Sequence, residues 1–309
     1  MGVGHHSHDH GDRIDAELRD SAAGIRAVKI SLVVLGVTAA AQLVVVAVSS
    51  SVALFADTVH NFSDALTAVP LWVAFAMSRR AATRRYTYGF GRVEDLAGLF
   101  VVTAIAVSAL VAAVEAVRRL INPVPLSHLS WVIAAGLIGF VGNEVVAVYR
   151  IRVGRRIGSA ALRADGMHAR ADGLTSLAVV AGALGVGMGF PLADPIVGLV
   201  IAGAIGIVLV VAARDVFGRL LDRIDPEYLD TARSVLSSQP GVRAVRRLRM
   251  RWVGHRLEAD TELDVDPTLS LADAHAVAHT AEHELAHAIP KLSSVVVHAY
   301  PAHDHLISS

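Results

Sequence analysis

Two copies of one nine-residue frame, A-D-x-x-H-x-x-x-D, lie inside long apolar segments of this chain. The first reads Ala56-Asp57-Thr58-Val59-His60-Asn61-Phe62-Ser63-Asp64. The second reads Ala164-Asp165-Gly166-Met167-His168-Ala169-Arg170-Ala171-Asp172. In each copy the His and the last Asp are four residues apart, so on a helix they share one face, about one turn apart. Ionisable groups in hydrocarbon cost at least about 2.5 kcal/mol each, so they must face a bundle interior and find partners there. Two His and two Asp from two helices make a donor set for a tetrahedral divalent metal ion. The bland alternative is that these groups only bridge helices by hydrogen bonds. Two identical frames are hard to obtain for that purpose alone.

The rest of the composition narrows the choice. Of the 309 residues 54% are hydrophobic, too many for an ordinary soluble protein, and 28 basic residues balance 28 acidic ones. No global basic surface points to nucleic acid. Cysteine is absent, which removes disulfides and thiolate ligands, so a metal would have to be held by His and carboxylates. Residues 1–25 are polar and charged rather than built around an apolar core, so no signal peptide is expected.

Six apolar stretches suffice to cross a bilayer, which takes about 20 helical residues. They are placed near 28–48, 53–77, 95–117, 130–149, 165–188 and 192–213. The expected division is a His-containing tail at 1–25, without fixed structure, then a six-helix membrane domain at 26–213. A third domain at 214–302 and a short tail at 303–309 follow. Arginine and lysine crowd the N-terminal tail, the 2–3 connection (Arg79, Arg80, Arg84, Arg85, Arg92) and the 4–5 connection (Arg150, Arg152, Arg155, Arg156, Arg163). Only Arg118 and Arg119 fall on the other side, so both termini are expected in the cytoplasm of a multi-pass cell-membrane protein. Helices two and five are then antiparallel. The repeated frame is either a relic of an inverted repeat or convergence on one ligand geometry.

The last 95 or so residues read α-β-β-α-β. Pro226 opens a helix that runs to Ser238. Val245 and Leu248 suit a strand. Leu257, Ala259, Thr261, Leu263 and Val265 alternate with Glu258, Asp260, Glu262 and Asp264 in a second strand. Ser270, with Asp273 three residues on, caps a helix to about Ile289. Pro290 stops it, and Ser294 to Tyr300 form a last strand.

Charge balance suggests what the membrane site does. Two carboxylates neutralise a divalent ion, and an empty site would leave two anions buried. Protons must then replace the metal, which gives a physical basis for metal–proton exchange at His60, Asp64, His168 and Asp172. Asp57 and Asp165 are placed either as groups that orient the ligands or as helix-end residues. Asn61, Asn143 and Glu144 are taken as interhelical partners.

These residues resemble a known family. Ser51 to Asp57 through His60 and Asp64 is similar to the second transmembrane helix of the cation diffusion facilitators. Leu162 to Asp165 through His168 and Asp172 resembles their fifth, and Tyr88 to Glu94 the loop entering their third. The resemblance spans about residues 25–302 and implies six helices followed by a cytoplasmic ferredoxin-like domain. It also implies a homodimer, no enzymatic activity, and export of Zn²⁺ in exchange for protons, with Cd²⁺, Co²⁺ and Fe²⁺ as related cargoes. No cofactor is implied; the metal is the cargo. Phe90 stands where many zinc members have a His, so the accessory loop site is expected to be missing. The resemblance points to a cytoplasmic metal site from Asp260, Glu262, His275 and His298, with Tyr300 in place of a frequent acidic ligand. It further implies that Arg92 pairs with Asp222 beneath the membrane in the dimer.

Three rivals remain. His283-Glu284-Leu285-Ala286-His287 is a literal H-E-x-x-H, the metalloprotease frame. It lacks a third ligand at recognisable spacing, and His275 and His279 extend it into a four-residue ladder. A channel fits poorly, because four protein ligands hold an ion too firmly for rapid flow. A membrane metal sensor without transport stays open. The clusters at His5, His6, His8 and His10 and at His303, Asp304 and His305 are either loose metal-capturing ends or solvated tails. Ligand softness yields one prediction: His60→Asp should weaken the preference for Zn²⁺ and admit harder ions such as Mn²⁺. Competition binding on the purified variant checks this, and an unchanged order of metals would mean that these ligands do not set it.

Overall fold

The computed structural model describes residues 6–49, 68–122, 129–190, 192–289 and 291–302. The chain divides into two compact units, one of Leu18–Gly218 and one that holds Arg219–Ser309. The first unit is helical: α1 (His6–Ser49), α2 (Ala68–Ser78), α3 (Arg92–Ile121), α4 (Leu129–Ile157), α5 (Ala160–Gly187) and α6 (Ala193–Leu220), with α1 contributing from Leu18 on. Five of these are long and apolar enough to cross a membrane, and α2 is a shorter apolar helix. Of the second expected span, only Ala68 onward is described. His60 and Asp64, with Asp57 and Asn61, lie outside the described residues, as do Pro290 and the tail from His303.

Two boundaries differ from the sequence reading. α1 begins at His6, so residues 6–25 are helical rather than part of a tail without fixed structure. This stretch has no proline to interrupt a helix. α4 runs to Ile157, so Arg150, Arg152, Arg155 and Arg156 are helical and the 4–5 connection shrinks to Gly158 and Ser159. Hydropathy marks where apolar composition ends, whereas a helix continues until a backbone signal stops it. Here the stop is Gly158, at φ +81, a left-handed position that glycine fills without strain. Ser159 then starts α5 by accepting a hydrogen bond from the Leu162 N–H at 3.0 Å.

α4 and α5 therefore form a tight antiparallel hairpin, and the other helices pack around it. α1 lies along it, with Val34 and Leu35 against Val146, Ala147 and Ala169. The Gln42 side chain donates to the Ala135 carbonyl at 3.2 Å. In α2, Leu71 and Phe75 pack with Ala97 of α3 and Leu162 of α5. Of the five long helices α5 is the least apolar and the most buried, while α6 is the most apolar and the least buried. That order follows from solvation: the least apolar helix is kept furthest from lipid.

The second unit has the expected order: α7 (Pro226–Ser237), β1 (Val242–Val253), β2 (Arg256–Val265), α8 (Leu271–Ala288) and β3 (Leu292–Pro301). β1 pairs antiparallel with β2 and β2 parallel with β3, so α8 supplies the crossover. Asp225 caps α7 ahead of Pro226. Ser270 caps α8 by accepting from the Asp273 N–H at 3.2 Å, and its hydroxyl donates to the Asp273 carboxylate at 2.6 Å. Leu257, Ala259, Thr261, Leu263 and Val265 are buried. Together with Met250, Trp252 and Leu292, three of them pack against Leu236 of α7 and Ala281 and Leu285 of α8. Arg219 closes one end of this core, its guanidinium 4.1 Å from the Trp252 ring centre. Leu285→Ala removes a fully buried side chain at the centre of this layer and should cost about 2–5 kcal/mol. Thermal unfolding of the purified chain measures that loss.

Candidate metal centre

The hairpin turn sets the depth of every polar group on α5. Gly166 lets α5 close on α4, since a Cβ there would lie 2.8 Å from the Ile151 side chain and 3.0 Å from its backbone nitrogen. Small residues at such contacts allow helix backbones to approach closely in a bilayer. His168 and Asp172 follow, only 2% and 8% exposed, with Nδ1 of His168 3.8 Å from Oδ1 of Asp172. Bonds of about 2 Å in a tetrahedron put two ligand atoms about 3.3 Å apart. A small side-chain rotation brings this pair to that spacing.

The other charges of α5 are matched by neighbouring helices. Asp165 is fully buried and meets Arg150 of α4, itself 2% exposed, at 2.8 Å. Arg170 grips Glu144 of α4 with two hydrogen bonds of 3.1 and 2.6 Å. Arg163 pairs with Asp215 of α6. Those contacts cancel charge locally, whereas His168 and Asp172 are turned toward each other. α5 thus presents one buried His–Asp pair inside a frame of neutralised ion pairs.

The sequence reading left Asp165 between two roles, and the structure engages it with Arg150. Glu144 bridges helices as expected, and Asn143 is buried. The Arg150 partner was missed because hydropathy placed Arg150 in a loop. A signal was present: Arg150 and Glu144 precede Gly158 by distances comparable to those at which Asp165 and Arg170 follow Ser159. An antiparallel hairpin brings such opposite charges together.

The remaining candidates are dispersed. Asp260, Glu262 and His298 lie on the sheet face away from the helices, with Glu262 and His298 adjacent in register. His275 is on α8, exposed. Glu262 is paired with Arg247, and the His298 ring lies 4.7 Å from that of Tyr300. Nε2 of His283 and Nε2 of His287 are 3.1 Å apart on the exposed side of α8. Among the described residues, no three His or carboxylate side chains converge as a metal cluster. Phe90 packs on Tyr86, ring centres 4.9 Å apart. Arg92 contacts Asp95 of its own helix at 3.3 Å. Asp222 occupies a left-handed turn after α6 at φ 58, a conformation Asp tolerates better than most side chains.

Comparisons with known proteins agree with this architecture. Residues 28–221 match the family described as cation efflux transmembrane domain, and residues 224–302 match the cation efflux protein, cytoplasmic domain. A probable cation efflux system protein of Mycobacterium tuberculosis is 65% identical over 297 residues, covering 96% of this chain and 90% of that one. Magnetosome protein MamB of Paramagnetospirillum magneticum is 28% identical over 255 residues, 82% of this chain and 86% of its own. Manganese efflux system protein MneP of Bacillus subtilis is 24% identical over 262 residues, 82% and 88% of the two chains. A solved MamM CTD in a nickel form is 26% identical, with a TM-score of 0.25, covering 26% of this chain and 100% of that one. This chain belongs to the cation efflux family, the cation diffusion facilitators, which are membrane transporters.

Removing one member of a buried ion pair strands the other charge, at a cost of about 3–5 kcal/mol. Arg150→Met should therefore destabilise the protein by that much, and the double variant Arg150→Met, Asp165→Asn should recover part of the loss. Thermal unfolding in detergent measures both. Equal losses in single and double variants would remove the ion pair as the cause.

Proposed function

We propose that this chain exports Zn²⁺ in exchange for protons. The site is tetrahedral, formed by His60 and Asp64 of the second span with His168 and Asp172 of α5. The buried His168–Asp172 pair carries the reading, because it is a near-ligand geometry in a helix whose other charges are matched. The identical frame at Ala56–Asp64 supplies the second half, and the described part of that span packs against α5 through Leu71, Phe75 and Leu162. Two imidazoles favour zinc and the related Cd²⁺, Co²⁺ and Fe²⁺ over harder ions. One relative is a manganese exporter by name, so Mn²⁺ belongs in the test.

The cycle has four steps. Metal displaces protons from the four ligands; the helices turn the site outward; protons displace the metal; the empty protein returns. Two carboxylates balance the divalent ion, so the occupied site is neutral, and protons keep it neutral when the metal leaves. The protein works as a homodimer, multi-pass, with both termini in the cytoplasm, and Arg92 and Asp222 form a charge pair beneath the membrane. Residues 26–213 act as the transport domain. Residues 214–302 serve for dimerisation and for metal sensing, with Asp260, Glu262 and His298 on one sheet face and His275 apart from them on α8. Asp57 and Asp165 orient the two ligand helices.

Purified protein in liposomes should take up Zn²⁺ when a proton gradient is imposed, and Asp172→Ala should abolish that flux while remaining folded. The same vesicles are challenged with Mn²⁺ and Cd²⁺. Wild-type protein that binds Zn²⁺ but moves no metal would point to a sensor. Glu284→Ala should leave the flux near its wild-type rate, which separates transport from H-E-x-x-H chemistry.

A further inference from the structure

A cavity of about 110 Å³ lies within the helical unit, where α3 and α5 end and α6 begins. Its walls are largely apolar, yet its lining includes Glu115, Arg119, Asp194 and Thr175. Arg119 is the centre of a triad. Its Nε meets the Glu115 carboxylate at 2.9 Å along α3, and its Nη1 meets Asp194 of α6 at 3.1 Å. The triad carries one positive and two negative groups, so its net charge is −1. α6 is brought in by Gly182 of α5, where a Cβ would lie 2.6 Å from Oδ1 of Asp194 and 2.9 Å from its Cα. The close approach is thus a fixed part of how this end of the bundle is assembled.

The position of the cavity on α5 gives it meaning. His168, Asp172, Thr175 and Val179 follow the i, i+4, i+7, i+11 spacing, one stripe of a helix. His168 and Asp172 are the ligand pair, and Thr175 and Val179 line the cavity. Thr175 stands about 4.5 Å along the helix axis from Asp172. Ligands and cavity therefore occupy one face of α5, less than one turn apart. A space of this size with several polar partners holds several waters.

We propose that this cavity is the port on the far side of the transport site. Protons reach Asp172 and metal leaves it by way of Thr175, and the Glu115–Arg119–Asp194 triad at the rim draws cations and repels anions. The inference rests on the α5 pair being the transport site. It also explains why Arg119 goes against the positive-inside pattern: two carboxylates more than cancel its charge. Low-dielectric walls lengthen the reach of the net negative charge, so it acts on ions that enter the cavity.

The chain has no cysteine, so single cysteines report cleanly. Thr175→Cys and Ile201→Cys place thiols on two walls of the cavity, and Val200→Cys places one on the outer apolar surface, where Val200 is 66% exposed. A membrane-impermeant cationic methanethiosulfonate is added to full-length protein in liposomes from the side opposite the C-terminus. The two cavity thiols should react at least about tenfold faster than the Val200→Cys thiol, and modification should block Zn²⁺ flux. Glu115→Gln with Asp194→Asn should abolish the preference for the cationic reagent over an anionic one of similar size. The same double variant should slow Zn²⁺ flux, with equilibrium Zn²⁺ binding unchanged. Cavity thiols no faster than Val200→Cys, or wild-type flux in the double carboxamide variant, would overturn the port. Absence of Zn²⁺ flux in the unmodified wild type would instead sink the antiporter reading, since the labelling contrast reports water access without flux.

Discussion

Charge inside a low-dielectric bundle has to be matched, and most of the helical unit is arranged to do so. α5 carries Arg163, Asp165, His168, Arg170 and Asp172 within three turns. In hydrocarbon these would be prohibitive singly. Arg150, Glu144 and Asp215 on α4 and α6 cancel three of them. Each of those pairs sets the rotation of α5 about its own axis, because one face must meet α4 and another α6. With the rotation set, His168 and Asp172 have a single direction to face. The His168–Asp172 pair is oriented by the ion pairs around it as much as by its own spacing.

This arrangement depends on a short turn. Gly158 and Ser159 end α4 and start α5 without an intervening loop, so the two helices leave the turn in register. A longer connection would let α5 slide or rotate, and Arg150 would lose Asp165. Small residues at the contact, Gly166 among them, keep the backbones close enough for the side chains to meet. Helix packing, ion pairing and the orientation of His168 and Asp172 are therefore one problem with one solution. The same logic holds at the other end of α5, where Gly182 admits Asp194 and places it beside Arg119.

Much of this was legible in residue order. The α-β-β-α-β unit was read from the alternation of Leu257 to Val265 and the Ser270–Asp273 cap, both local signals that tertiary contacts had no reason to override. The family was legible in the repeated frame and in Tyr88 to Glu94. The true length of α4 was not, because hydropathy reports side-chain composition while helix ends obey backbone rules. The start of α1 at His6 escaped for the same reason, since a polar stretch without proline can continue a helix. The Glu115–Arg119–Asp194 triad was hidden too: Arg119 appeared only as an exception in a charge count.

By itself the sequence determined the apolar segments that become α1, α3, α4, α5 and α6, the strand and helix order of the C-terminal unit, and the spacing of His168 and Asp172. Each follows from periodicity, which is a property of neighbouring residues. Only the tertiary structure decided which charges neutralise one another and which way His168 and Asp172 face. It also placed a largely apolar cavity, with Glu115, Arg119 and Asp194 in its lining, on the same stripe of α5 as His168 and Asp172. Those outcomes depend on distances between segments far apart in the chain, and in a low-dielectric interior such distances separate a stable pair from a stranded charge.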